Sequence, residues 1–235
     1  MPTEAQPTPG LPFRPSARLE TEDAPLRPGG LATLAGAVLL TAGASAGIAL
    51  AVAPHGFLQS IDDAWAASTA GEHGGLRNLV AVMIEGGFGG PAGVIAWVAL
   101  AGWLAAVKRP WSALCAVSAC IASNILLLPA KAILDRPRPD EPLTLVSGAS
   151  FPSGHACSAA ALAVLVGVLV LRRRGRRLWW VAGGSATALD MWSATWLHAN
   201  WLSDVVAGAC LGAGAALLLW RAFAGLLLRE VGTEG

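Results

Sequence analysis

The sequence predicts an all-α fold, a polytopic membrane protein built as a six-transmembrane-helix bundle. Hydrophobic residues make up 54% of the 235 residues, and charged residues make up only 13%. A typical soluble domain carries about 25% charged residues. The chain also contains apolar windows long enough to cross a bilayer, which requires about 20 residues. The net charge of +1 gives no basic excess that would favour nucleic acid as a partner.

Six apolar windows follow one another along the chain. They lie at 31–53, about 87–107, 111–131, 154–171, 178–198 and 204–221. Residues 55–86 are mixed in character, and we expect them to lie on the membrane surface or to dip into it. The polar, Pro-rich residues 1–30 predict a disordered cytoplasmic tail, and residues 225–235 predict a second cytoplasmic tail. The expected membrane domain is therefore 31–224.

The distribution of Lys and Arg predicts the orientation of the bundle. With the N-terminus inside, 12 basic residues face the cytoplasm and 4 face outwards. Cytoplasmic loops of membrane proteins carry the excess of Lys and Arg. We therefore expect a multi-pass protein of the cell membrane with both termini in the cytoplasm, and with the loop 131–155 outside.

Three basic residues, Lys131, Arg136 and Arg138, lie on the predicted outer side, where the positive-inside bias disfavours them. Snorkelling at a helix end would explain Arg136, and nearby carboxylates would neutralise all three. However, Pro137 and Pro139 hold Arg138 in a stiff extended segment. A rigid guanidinium beside an ammonium suits phosphate. Lys131 and Arg138 are therefore candidate phosphate ligands, with Arg136 as an accessory candidate.

The fourth window begins with Pro152-Ser153-Gly154-His155. Ser153 is a predicted N-cap, Gly154 lets the backbone approach a ligand closely, and the free N–H groups of a helix start favour an anion. His155 is then placed to donate a proton to a leaving oxygen. Taken alone, this tetrapeptide predicts only a capped helix. Together with the two cations it predicts a phosphate site.

Two stretches resemble the first two signatures of the type 2 phosphatidic-acid phosphatase superfamily, namely Lys131-Ala-Ile-Leu-Asp-Arg-Pro-Arg138-Pro139 and Phe151-Pro-Ser-Gly-His155. That family includes lipid phosphatases and vanadium haloperoxidases, and the resemblance covers roughly residues 60–221. It implies a six-helix membrane bundle whose outward-facing site dephosphorylates lipid phosphates or isoprenoid diphosphates. It also implies that Lys131, Arg138, Ser153 and Gly154 bind phosphate and that His155 is the general acid.

The third signature of the family departs from its usual form in this chain. The family has Ser-Arg, five residues, a nucleophilic His, three residues and then Asp. Aligned on Asp204, the chain keeps Ser193 but has Ala194 at the Arg and Asn200 at the nucleophile. An Asn amide does not form a phosphoenzyme, and losing the Arg removes charge-assisted hydrogen bonds from the transition state. The missing His also argues against vanadium-dependent halogenation, since it would bind vanadate.

Two further residues near this signature are candidates for the site. His198 is a substitute nucleophile, although on a helix two residues rotate a side chain by about 200° away from the Asn200 position; the alternative is an interfacial polar residue. Aligning on His198 instead puts Trp192 at the Arg position and Leu202 at the Asp position. Asp190 lies within the fifth window, and an intramembrane carboxylate is normally paired. Lys131 or Arg138 is its expected partner, in a functional or a purely structural ion pair.

These observations predict an integral membrane lipid phosphatase or phosphotransferase acting on a phosphorylated lipid or isoprenoid (di)phosphate at the extracytoplasmic face, without a cofactor. Asp204 completes the set of catalytic candidates, with His155, Asn200 and His198. Two alternatives stay open because of Asn200 and Ala194. One is a non-hydrolytic relative that binds a phospholipid or polyprenyl phosphate. The other is C–O cleavage of an allylic isoprenoid diphosphate, in which Asp190, Asp204 and Asn200 would hold a metal.

Overall fold

The computed structural model describes residues 29–70, 74–88 and 90–232, and within these ranges every regular element is a helix. Of the predicted N-terminal tail, residues 1–28 lie outside the described part. The helices are α1 (Gly30–Val52), α2 (Phe57–Thr69), α3 (Gly75–Phe88), α4 (Gly90–Ala106), α5 (Pro110–Leu134), α6 (Gly154–Leu165), α7 (Arg173–Trp196), α8 (Leu202–Ala222) and α9 (Ala224–Gly232). A π-helical turn, Val166–Val170, extends α6. The all-α prediction is confirmed.

Three helices in the described residues, α1, α5 and α8, are long and apolar enough to cross a membrane. The helices α3 and α4 pass the same test as a pair, with a bend of 43° between them, and would form a fourth crossing if they make one span. The mixed segment before the second window is therefore helical, as α2 and most of α3. The helices α6 and α7 correspond to the two remaining windows, so that six crossings stay a prediction.

The helix α8 lies at the centre of the bundle and packs against α1, α5 and α6. Small residues bring these backbones together: a Cβ on Gly212 would lie 2.0 Å from the Cys157 carbonyl oxygen, and one on Gly208 would lie 2.3 Å from that of Ser153. Close approach at small residues is typical of packing between membrane helices, where van der Waals contact replaces the hydrophobic driving force. The start of α6 is thereby fixed against α8.

One end of the bundle is closed by contacts between α9 and the start of α5. The Glu230 carboxylate accepts hydrogen bonds from the Trp111 backbone N–H (2.8 Å) and from the Ser112 hydroxyl (2.5 Å), and it lies 3.5 Å from the Arg109 guanidinium. The predicted C-terminal tail is therefore largely the helix α9, docked on the bundle. At the opposite end, α5 ends and α6 begins; we call it the signature end, defined by Leu134 and Gly154.

Candidate functional site

Two cationic side chains at the signature end donate hydrogen bonds to the loop that connects α5 to α6. Lys131, in the last turn of α5, donates to the Ala149 carbonyl at 2.7 Å. Arg138 donates to the carbonyls of Gly148 (3.1 Å) and Ser147 (3.0 Å), and it also contacts the Ala199 carbonyl. Both side chains are therefore fixed by backbone oxygens on the same loop.

Arg138 remains a cation in this setting. Partial burial lowers the pKa of its guanidinium, while the charges of Asp204 and Glu85 act in the opposite direction. The pKa of an ordinary guanidinium lies far above neutral pH, so that Arg138 keeps its charge there. It can therefore supply a permanent positive charge to an anionic ligand.

The start of α6 has the geometry expected for Pro152-Ser153-Gly154-His155. Ser153 is the N-cap, and its hydroxyl accepts a hydrogen bond from the Ala156 N–H at 3.4 Å, which confirms the predicted cap. The Ser153 N–H in turn donates to the Asp204 carbonyl at 3.0 Å. The α6 N-terminus is thus tied to the start of α8.

The predicted phosphate ligands and the helix start line one cavity of about 290 Å³. Six predicted residues contribute to its wall, namely Lys131, Arg138, Ser153, Gly154, His155 and Asn200. The structure thus brings together the first two signatures and the position that carries the nucleophile in the resembling family. Arg136, Asp190, His198 and Asp204 do not line this cavity.

Glu85, on α3, is a residue of this cavity that the sequence reasoning missed. Its carboxylate lies 2.7 Å from His155 Nδ1, and its second oxygen lies 3.4 Å from the Ser193 hydroxyl. It is only 8% exposed. A lone carboxylate within the apolar run Val-Ala-Val-Met-Ile-Glu85 was the available signal, because such residues are usually functional or paired.

Asp190 does not pair with Lys131 or Arg138, which corrects that prediction. It is completely buried, and within the described residues neither of its carboxylate oxygens has a hydrogen-bond partner. Its electrostatic neighbours are His155 and Glu85. The i, i+3 spacing places Ser193 on the same face of α7, and the Ser193 hydroxyl donates to the Asp190 carbonyl at 2.8 Å. Asp190 thus lies beside the cavity, next to His155 and Glu85 in its wall.

Asn200 and Ala194, the two residues of the third signature that differ from the family, are both held by local contacts. The Asn200 side-chain amide donates to the Ser150 carbonyl at 2.7 Å. Ala194 is completely buried and packs in a cluster with Ala156 and Val205. The space of the family's phosphate-binding Arg is therefore filled by small apolar side chains.

Arg136 is part of a buried charged network, here called the clasp, which consists of Arg136, Asp62, Asp204 and Ser203. The Arg136 guanidinium donates to Asp204 (2.5 Å), Ser203 (2.8 Å) and Asp62 (2.7 Å). Asp62 lies on α2 and also accepts the Ser203 N–H at 2.8 Å. Arg136 thus joins α2 to α8, and its accessory role in phosphate binding stays a prediction.

The second carboxylate oxygen of Asp204 contacts the Ser150 hydroxyl and accepts the Trp201 N–H at 2.9 Å. With the other oxygen held by Arg136, both oxygens have partners. Asp204 is thus held by Arg136, Ser150 and Trp201, whereas the Asp190 carboxylate has no hydrogen-bond partner among the described residues. No group of three or more His, Cys, Asp and Glu side chains with the arrangement of a metal site occurs among the residues that the structure describes.

His198 follows the end of α7 in a turn with a positive φ of 53°. The turn is irregular, as the substitute-nucleophile hypothesis required, but the ring points elsewhere. Its Nε2 lies 3.3 Å from the Thr69 hydroxyl, and its Nδ1 lies 3.0 Å from the Asp140 carbonyl. The structure thus places His198 between α2 and the loop, outside the cavity wall.

An apolar groove adjoins the cavity on the side of α4 and α5. Its volume is about 300 Å³, and its wall includes Val94, Trp97 and Leu127. It shares Gly154 and His155 with the cavity wall. A polar site and an apolar groove therefore meet at the first turn of α6.

These features define a class: an all-helical, multi-pass membrane protein with basic and polar side chains grouped at one end of the bundle. The family model described as the PAP2 superfamily matches residues 112–226, which run from α5 into α9. This match agrees with the resemblance of the first two signatures to that superfamily.

A solved structure shares this fold. The crystal structure of the first transmembrane PAP2 type phosphatidylglycerolphosphate phosphatase from Bacillus subtilis matches with a TM-score of 0.69 at 22% sequence identity. The match covers 78% of this chain and 93% of that chain. No curated protein matches the sequence.

Proposed function

We propose that this membrane protein hydrolyses or transfers the phosphoryl group of a phosphorylated lipid or isoprenoid (di)phosphate. The observation that carries the proposal is the junction of the cavity with the apolar groove at Gly154 and His155. Lys131 and Arg138 supply positive charge for the phosphate, and the α6 N-terminus supplies backbone N–H groups. The groove receives the hydrocarbon chain.

A phosphate-release assay tests this function. Purified protein in detergent is given phosphatidate, diacylglycerol pyrophosphate and polyprenyl mono- and diphosphates. We expect release from at least one of them, and a loss of about 100-fold or more for His155→Ala, the range of general acid–base catalysis. Glu141→Gln, an exposed carboxylate of the same loop, is the matched control and should keep wild-type activity. Absence of release from all substrates would refute the hydrolase proposal.

The proposal includes an orientation, with the signature end outside the cell and both termini in the cytoplasm. The excess of Lys and Arg in the other segments supports it. Ser147→Cys, exposed in the loop at the signature end, should react with a membrane-impermeant maleimide in intact cells, relative to the parent protein with its four Cys. Labelling that occurs only after the cells are opened would show that the signature end faces the cytoplasm and would refute the proposed orientation.

A second candidate function is binding of a phosphorylated lipid without hydrolysis. The residues Asn200 and Ala194 favour it, because they stand where the resembling family has its nucleophilic His and a phosphate-binding Arg. In that case a phosphorylated lipid co-purifies with the wild-type protein and is lost from the Lys131→Ala, Arg138→Ala double variant. Retention of the same lipid by the double variant would rule out this site as the place of binding.

A further inference from the structure

The pair formed by His155 and Glu85 has the arrangement of a catalytic histidine with its carboxylate. The carboxylate lies 2.7 Å from Nδ1, so that an Nδ1–H donates to it and the lone pair is on Nε2. The Ser193 hydroxyl oxygen on α7 lies 3.4 Å from the other oxygen of Glu85, so the carboxylate lies between α6 and α7. A carboxylate at this position orients the ring and makes its second nitrogen more basic.

The positions of the nucleophilic His and the following Asp in the resembling family do not form such a pair here. Asn200 has no basic nitrogen, and its amide is used by the Ser150 carbonyl. The Asp204 carboxylate is occupied by Arg136, Ser150 and Trp201. Among the described residues that line the cavity, His155 is the one imidazole. A histidine–carboxylate pair is thus present, but on α6 and α3.

We propose that His155 is the general base of a direct displacement by water, and that Glu85 is its positioning residue. This inference rests on the proposed phosphoryl-transfer function. A water oxygen forms a bond to phosphorus while the bond from phosphorus to the leaving oxygen breaks. The proton of the water passes to His155 Nε2, and the electron pair of the broken bond stays on the leaving oxygen. No phosphoenzyme forms.

The single imidazole restricts the class of substrate. In an in-line displacement the attacking and leaving oxygens lie on opposite sides of phosphorus. One ring that takes the proton of the water is therefore not available to protonate the leaving oxygen. A lipid alkoxide departs poorly without a proton, whereas a phosphate monoester departs as a stable anion. The substrate is a lipid diphosphate, cleaved to a lipid monophosphate and inorganic phosphate.

The experiment compares farnesyl diphosphate with farnesyl monophosphate, which share one hydrocarbon chain. The full-length protein in detergent should hydrolyse the diphosphate about 100-fold faster or more, the size of a typical general-acid contribution. Glu85→Gln should lower kcat by about 10- to 100-fold with KM nearly unchanged, since Glu85 acts through His155. Glu85→Asp should restore part of kcat. Glu141→Gln again serves as the matched control.

The rates of hydrolysis of a series of aryl phosphates, whose leaving groups differ in pKa, distinguish the two possible roles of His155. A general base gives the same loss on His155→Ala for all members of the series. A loss that grows with the pKa of the leaving group would make His155 the general acid and overturn the proposal. Equal rates for mono- and diphosphate, or a normal kcat in a folded Glu85→Gln protein, would also overturn it. Absence of wild-type hydrolysis of any substrate would instead remove the proposed function, and this inference with it.

Discussion

The clasp makes a quantitative prediction: Arg136→Ala should destabilise the protein strongly. The Arg136 guanidinium is 8% exposed and donates to Asp62 at 2.7 Å and to Asp204 at 2.5 Å, both of which are buried. Removing it leaves two buried carboxylates without their cation. Breaking a buried ion pair in this way costs about 3–5 kcal/mol. At about 2–4 °C per kcal/mol for a chain of this size, the expected fall in Tm is about 6–20 °C.

Thermal unfolding in detergent, followed by the fluorescence of the ten Trp residues, measures this change. Lys108→Gln, exposed at the other end of the bundle, is the control and should change stability by less than about 0.5 kcal/mol. Adding Asp62→Asn to Arg136→Ala should recover part of the lost stability, because it removes one of the two buried carboxylates that have lost their cation. A decrease in Tm of less than about 2 °C would refute the stabilising role of the clasp. Lost activity at an unchanged Tm would instead make Arg136 a phosphate ligand.

Three further predictions concern the residues around the cavity. Asp190→Asn should raise Tm and lower activity, because a buried carboxylate without a hydrogen-bond partner costs stability and is retained at functional sites; a variant with lower Tm and full activity would contradict this. Gly212→Ala should lower Tm and activity together, because its Cβ would lie 2.0 Å from a backbone oxygen, whereas Gly184→Ala, with no atom within 4 Å, should be neutral or stabilising. Equal Tm values for these two glycine variants would refute the close packing. Asn200→His combined with Ala194→Arg should not raise phosphate release and should lower Tm, because Ala194 is completely buried in a packed cluster; a large gain in release would show that the ancestral chemistry is recoverable.

The signature residues could be placed from the sequence because their spacing follows local rules. The end of α5 and the start of α6 are set by apolar windows, by Pro residues and by the Ser153 cap, which are all encoded within a few positions. Lys131, Arg138 and His155 therefore had to lie at one end of the bundle. The structure brings them to one cavity.

The partners of the buried charges could not be placed in the same way. Glu85 and Asp62 lie in the mixed segment before the second window, and their contacts with His155 and Arg136 depend on how α2 and α3 pack against α6 and α8. The expected partner of Asp190 was wrong for the same reason: Lys131 and Arg138 are held by carbonyls of the connecting loop instead. Hydropathy predicts helices, but it does not predict which polar faces meet.

The close approach of Gly208 and Gly212 to the start of α6 also has a consequence for the candidate site. Main-chain contacts, including the bond from the Ser153 N–H to the Asp204 carbonyl, hold the helix start against α8. The side chains at positions 194 and 200 can therefore differ from those of the resembling family while the backbone N–H groups at the start of α6 keep their place. The packing of α6 on α8 thus separates the placement of the anion-facing backbone from the identity of the reacting side chains.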